Sequence, residues 1–233
     1  MKELNKKQDG ESQWLPISDL MSVLMMIFLL IAVSYMLKVY EEKDKIEQVA
    51  ITYNKLQNEL YEDLKKEFQE DLSKWDAELD KNNLSVRFKS PEILFNIGSS
   101  IIKRNFKIIL NDFFPRFIKI LHSSKYKNEI SEIRIEGHTS SFWRKGTSEE
   151  TAYILNMELS QNRTRNVLSY VLSNIKKEEE LALWTRLNVT ANGLSSSKPI
   201  KNEEGKENRE LSRRVEFRVK TNAEKRIANI LNQ

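Results

Sequence analysis

The chain has 233 residues and no cysteine, which excludes a disulfide framework and thiolate metal sites and leaves packing as the source of stability. Residues 1–37 carry 3 basic and 4 acidic side chains, residues 38–82 carry 8 and 13, and residues 83–233 carry 27 and 17. An acidic middle followed by a basic C-terminal half suits a solvated spacer joined to a domain that meets an anionic partner such as wall polymer, lipid or nucleic acid; ordinary surface charge is the alternative.

From Ile17 to Leu37, 17 of 21 residues are apolar, the exceptions being Ser18, Asp19, Ser22 and Ser34. At helical rise this run covers roughly 32 Å, enough to cross a bilayer. Tyr35-Met36-Leu37-Lys38-Val39-Tyr40 offers no small-residue cleavage site, so an uncleaved anchor is expected. Lys2, Lys6 and Lys7 before the run balance Lys38, Lys43 and Lys45 after it, so charge does not set the orientation.

Beyond the run, Ile46, Val49, Tyr53, Leu56, Leu60, Leu64, Phe68, Leu72, Trp75 and Leu79 recur at steps of three or four, and residues 38–82 contain neither Gly nor Pro. That period predicts one long helix with a nearly straight apolar stripe. A second copy of the same stripe is its simplest partner, giving a parallel stalk about 60 Å long if it continues the membrane helix; packing on the chain's own domain is the alternative.

From residue 83 the pattern turns globular. Leu84, Val86 and Phe88 alternate as a strand, Phe106–Leu121 reads as a helix despite Pro115, and Ile130–Glu136 alternates again. Thr151–Ile175 reads as an amphipathic helix, and Leu187–Ala191 and Val215–Val219 as strands. The expected class is α+β: one N-terminal transmembrane helix, a long helical stalk and a C-terminal α/β sandwich.

Asp19 is the only ionisable residue in the apolar run, where a charge at the centre of a spanning helix costs about 2.5–3.5 kcal/mol. It either caps a helix end at the interface with Ser18 or serves a function. The stretch Trp14-Leu15-Pro16-Ile17-Ser18-Asp19-Leu20-Met21-Ser22, with Met25-Met26 following, resembles the membrane helix of flagellar stator B subunits, although Pro16-Ile17-Ser18 departs from the flagellar residues. That resemblance implies that Asp19 carries a proton, or a sodium ion, with Ser22 supporting the ion path, and that no resident cofactor is needed.

Ile133-Arg134-Ile135-Glu136-Gly137-His138-Thr139, Asn156 and Leu159-Ser160-Gln161-Asn162-Arg163 resemble the signature of OmpA-like peptidoglycan-binding domains. Leu94-Phe95-Asn96-Ile97-Gly98-Ser99 looks like that family's first strand and turn, and Ser212-Arg213-Arg214-Val215-Glu216-Phe217 like its ending. The resemblance implies a wall-peptide site on Arg163, Asn156, Leu159, Thr139 and His138, in which Ser140 replaces the family's aspartate. His138 itself reads as a turn residue. With His122 the only other histidine, a histidine metal cluster is not expected. Arg213 and Arg214 form a candidate nucleic-acid patch, diluted by Glu207, Glu210 and Glu216.

Neither a nucleophile elbow nor a phosphate loop is present, so no enzyme is expected. The Ser18–Ser22 start, the uninterrupted stalk and the Leu211–Phe217 ending are most similar to the ZorB family of Zorya anti-phage systems, with a flagellar stator subunit or a passive membrane-to-wall tether as alternatives. The resemblance implies a cytoplasmic N-terminus over 1–14, a transmembrane helix over 15–37, a dimerising stalk over 38–82, a periplasmic OmpA-like domain over 83–221 and a C-terminal helix over 222–233. It also implies a homodimer in the bacterial inner membrane, held in a pentameric polytopic MotA-like or ZorA-like partner, bound to peptidoglycan and not to nucleic acid.

Overall fold

In a computed structural model, residues 4–89, 91–176 and 178–222 are described. The expected C-terminal helix over 222–233 lies outside the described residues beyond Asn222. The elements in chain order are α1 (Leu4–Leu72), β1 (Ala77–Asp80), β2 (Ser85–Phe88), α2 (Pro91–Leu94), α3 (Arg104–Leu121) and β3 (Ile130–His138), then α4 (Glu149–Asn174), α5 (Glu179–Asn188), β4 (Val189–Gly193), α6 (Arg209–Ser212) and β5 (Arg214–Thr221). Two compact units divide the chain, one ending its first stretch at Thr52 and the other spanning Tyr53–Arg226.

In the first unit every side chain from Ile17 to Gln48 is exposed, including the whole apolar run. Helical backbone satisfies its own hydrogen bonds, so such a surface is stable in lipid or against partner helices. The run is long and apolar enough to cross a membrane.

The second unit is an α/β sandwich on a five-stranded sheet of order β1-β2-β5-β3-β4, antiparallel except for the β3–β4 pair. The buried face of the sheet carries Val86, Phe88, Ile133, Ile135, Val215, Phe217 and Val219. Phe113 of α3 is the hub of the core, with ring centroids 5.1 Å from Phe217, 5.3 Å from Phe88, 5.0 Å from Phe117 and 5.2 Å from Phe68. Tilted, edge-on and stacked ring pairs of this kind add to the stabilisation from the area they bury.

Phe68 belongs to the last turns of α1, and here the expected stalk needs correction. Leu60, Leu64 and Phe68 are 0% exposed and sit in the core of the sandwich, with Leu56 and Leu72 packed beside them. Arg116 of α3 fastens this segment, donating to Glu67 Oε1 at 2.7 Å and to Asp71 Oδ2 at 3.0 Å, while Tyr126 donates to Asp63 Oδ2 at 2.6 Å. The helix stops at Leu72, and Asp76 takes a left-handed φ of 48° that an aspartate tolerates, turning the chain into β1 with Leu79. The stripe thus divides: its second half is domain core, and among its earlier members Ile46 remains 39% exposed, as does neighbouring Ile51 at 60%. Leu60 and Leu64 are covered by the chain's own domain and are not free to face a second copy in this packing.

The other expected elements hold with shifted ends. Leu187 falls in α5 and not in a strand, because the helix runs to Asn188 before β4 begins. Leu94–Ser99 is not a strand: a helical turn leads to a single bridge between Phe95 and Ile102, with Gly98 at φ 67° in the intervening turn.

Candidate wall-binding site

Ser148 caps helix α4, its hydroxyl accepting the Thr151 N–H at 3.3 Å. Asn156, Ser160, Arg163, Thr164, Val167 and Val171 recur at helical spacing along its buried face. Gly137 and Gly193, partners across β3 and β4, let this face approach closely. A Cβ at Gly137 would stand 2.9 Å from the Ser160 carbonyl oxygen, and one at Gly193 would stand 2.4 Å from the Gln161 nitrogen. Ser195 N–H donates to Ser160 Oγ at 3.1 Å, and Thr139 N–H to the Ser195 carbonyl at 2.9 Å, which locks the turn after β3 to the helix.

Arg163 is 9% exposed and faces the segment after α2. Its Nε donates to the Ser99 carbonyl at 2.9 Å and its Nη2 to the Asn96 carbonyl at 3.3 Å, and its guanidinium lies 4.8 Å from the centre of the Phe95 ring. Burial lowers its pKa to about 10, with the charge of Arg213 adding to the effect. Arg163 therefore stays charged at neutral pH without carboxylate compensation among the described residues.

Arg163, His138 and Gly137 meet around a cavity of about 10 Å³, closed by Leu94, Phe95 and Arg213. That is room for one water. Asn156, Leu159 and Thr139 do not line it. Arg213, read from sequence as part of the OmpA-like ending and of a candidate nucleic-acid patch but not of the peptide site, is the residue that reasoning missed here. Its neighbour Arg214 is 7% exposed and bound to Glu216, so the pair presents no patch.

Among the described residues, Thr139 Oγ1, Asn156 Nδ2, Arg213 Nε and both ring nitrogens of His138 are buried without a hydrogen-bond partner. Each such group costs about 1–3 kcal/mol when left unpaired, so each is a point that a ligand or water can complete. Ser140, in the place of the family aspartate, is buried as well. The carboxylate that does reach this turn belongs to Glu207, which accepts the Ser141 N–H at 2.9 Å.

On the opposite face of the sheet, Glu78, Arg87, Glu216, Glu136 and Asn192 form one row across all five strands. Arg87 Nε donates to Glu216 Oε1 at 2.8 Å, Arg214 donates to the same oxygen, and His138 Nε2 lies 3.8 Å from Glu136 and 4.0 Å from Glu216. Glu136, His138 and Glu216 come close enough to hold a metal ion, a grouping that sequence could not show because it depends on strand register. A divalent cation there would have to displace the two guanidinium groups from Glu216, so the cluster is an ionic lock between strands.

Burial holds the His138 imidazole below its usual pKa of 6.5, and burial alone would raise the Glu216 carboxyl, but Arg214 and Arg87 bring it below 4.5. Both folded pKa values are depressed, so the unfolded chain binds more protons than the folded one as pH falls through each range, and stability falls with it. The melting temperature should decline first below about pH 6.5, as the unfolded chain takes up the His138 proton, and again below about 4.5. In His138→Gln the first decline should vanish; if it persists, another group causes it.

In the first unit Asp19 lies within α1, fifteen residues past its start at Leu4, so it is not the residue that caps the helix. Ser22 Oγ donates to the Ser18 carbonyl at 2.9 Å, one turn back.

A helix long and apolar enough to cross a membrane, followed by an α/β sandwich with Arg163 buried near the end of β3, is the arrangement of an OmpA-like domain carried behind a candidate anchor. Residues 94–213 match the OmpA family. The whole chain is 47% identical over 234 residues to Zorya protein ZorB of Escherichia coli, covering 100% of this chain and 97% of that protein. Among solved structures it is similar to a MotB-like protein from Desulfovibrio vulgaris, at 24% identity, 77% of this chain, 98% of that chain and a TM-score of 0.45. The cell wall anchor of the T6SS from Pseudomonas aeruginosa is similar at 20% identity, 68% of this chain, 96% of that chain and a TM-score of 0.44. The chain belongs to the family of Zorya protein ZorB, and its C-terminal domain to the OmpA family.

Proposed function

We propose that the chain is the B subunit of a proton-driven motor in a Zorya anti-phage system. Two copies pass their apolar helices through a ring of a polytopic ZorA-like or MotA-like subunit, N-termini in the cytoplasm, and their periplasmic OmpA-like domains grip peptidoglycan. The observation that carries this reading is the 47% identity to Zorya protein ZorB over the full length of the chain. Asp19, set against the ring, takes a proton from one side and releases it to the other as the partner moves.

At the wall site, a carboxylate of the wall peptide displaces the Asn96 and Ser99 carbonyls from Arg163, whose forked donors suit it, while Asn156 and the Gly137-His138-Thr139 turn supply unpaired groups and Leu159 flanks them. Arg163→Ala is a poor test, because it strips two carbonyls and the Phe95 ring of their partner. A fragment starting at residue 84 is equally unsuitable, since it lacks β1 and the core residues of α1. Asn156→Ala in the full chain removes an amide nitrogen that has no hydrogen-bond partner among the described residues. It should weaken retention on purified sacculi about tenfold, the worth of one good hydrogen bond, with little change in melting temperature. Unchanged retention would place the wall contact elsewhere.

A further inference from the structure

The segment joining β3 to α4 walls an open pocket of about 770 Å³ that the Arg163 site does not use. Phe142, Trp143 and Tyr153 line it together with Arg144, Lys145 and Arg209. Phe142 is 48% and Tyr153 38% exposed, leaving aromatic surface open to water inside the pocket. The pocket is built, not a slack loop: Glu207 ties down Ser141 through its N–H and hydroxyl, the Thr147 N–H donates to the Arg144 carbonyl at 3.2 Å, and the Arg209 guanidinium sits 4.8 Å from the centre of the Phe142 ring.

Aromatic faces ringed by cationic donors and by the acceptor carboxylates of Glu149 and Glu150 match one ligand chemistry closely. A pyranose has an apolar face of C–H bonds that lies flat on an aromatic ring and an edge of hydroxyl and amide groups that need donors and acceptors. The volume exceeds that of one sugar and suits two. Position adds a further argument: the pocket starts two residues after Thr139, and Tyr153 lies one helical turn before Asn156 on α4. A wall peptide reaching Arg163 hangs from a glycan strand, which must pass close by.

We propose that this pocket binds the N-acetylated amino-sugar backbone of peptidoglycan, as a second subsite beside the peptide site; the inference rests on the wall-binding reading above. The test uses the full chain in detergent with three probes: intact sacculi, glycan strands freed of peptide by an amidase, and neutral chitotetraose. Wild type should bind all three. Phe142→Ala and Trp143→Ala should each weaken chitotetraose binding fivefold or more, Trp143→Phe should retain it, and Asn156→Ala should leave it unchanged. If intact sacculi bind but chitotetraose does not, the glycan subsite is refuted and the wall reading stands. Binding of peptide-free strands without chitotetraose would also refute it, by tracing the contact to lactyl carboxylates on the basic residues. Failure of all three probes would remove the wall reading itself.

Discussion

Asp19→Asn is expected to abolish phage protection while the chain still inserts and still copurifies with its polytopic partner. Asparagine keeps the shape of the side chain and much of its hydrogen bonding but can neither take up nor release a proton. It also removes the cost of a charge in an apolar helix, about 2.5–3.5 kcal/mol at the centre of a span, so insertion has no reason to suffer. The helix starts at Leu4, and Asp19 therefore has no capping duty whose loss could be confused with loss of transport. The checks are plaque counts, membrane fractionation and copurification on the same strains. Full protection by the Asn variant would instead make the chain a passive tether between membrane and wall.

Leu64→Ala should carry the largest stability effect. Leu64 is 0% exposed in the core that α1 shares with the sandwich. Truncating a buried leucine costs about 2–5 kcal/mol through lost transfer energy and the cavity left behind. For a domain of this size that lowers the melting temperature by roughly 5–15 °C. Ile51→Ala, at a position 60% exposed, should change it by less than about 0.5 kcal/mol if nothing covers that residue. Thermal unfolding of the full chain measures both. An unchanged melting temperature for Leu64→Ala, accompanied by loss of dimer, would return this stretch of the stripe to an interface between copies.

The same residue shows where sequence reading reached and where it stopped. Periodicity places Ile46 through Leu72 on one helix face, and the helix is there, because spacing at three and four residues is a local property of the backbone. Which surface that face meets is not local. A neighbouring copy and the chain's own domain present equally apolar partners, and only the aromatic pocket around Phe113 selects the second for Leu60, Leu64 and Phe68. Strand β1 was missed for the same reason: Ala77–Asp80 continues the helical stripe in sequence, and only its pairing with Ser85–Phe88 makes it a strand.

At the site, the ordered motifs around Gly137, Asn156 and Arg163 were legible because each is a short run with a fixed backbone task, the glycine for close approach and the arginine for a charge on the helix face. The closure of Arg163 by Asn96 and Ser99, its proximity to Arg213, and the row joining Glu136 to Glu216 were not, since they join segments 50 to 80 residues apart. By itself the sequence determined the apolar helix with Asp19, the OmpA-like order of elements and the residue types at the turn, all set by local spacing and side-chain chemistry. Tertiary structure alone decided the fate of the stripe, the closed state of the cationic pocket and the ionic row across the sheet, because each depends on strand register and packing between residues remote along the chain.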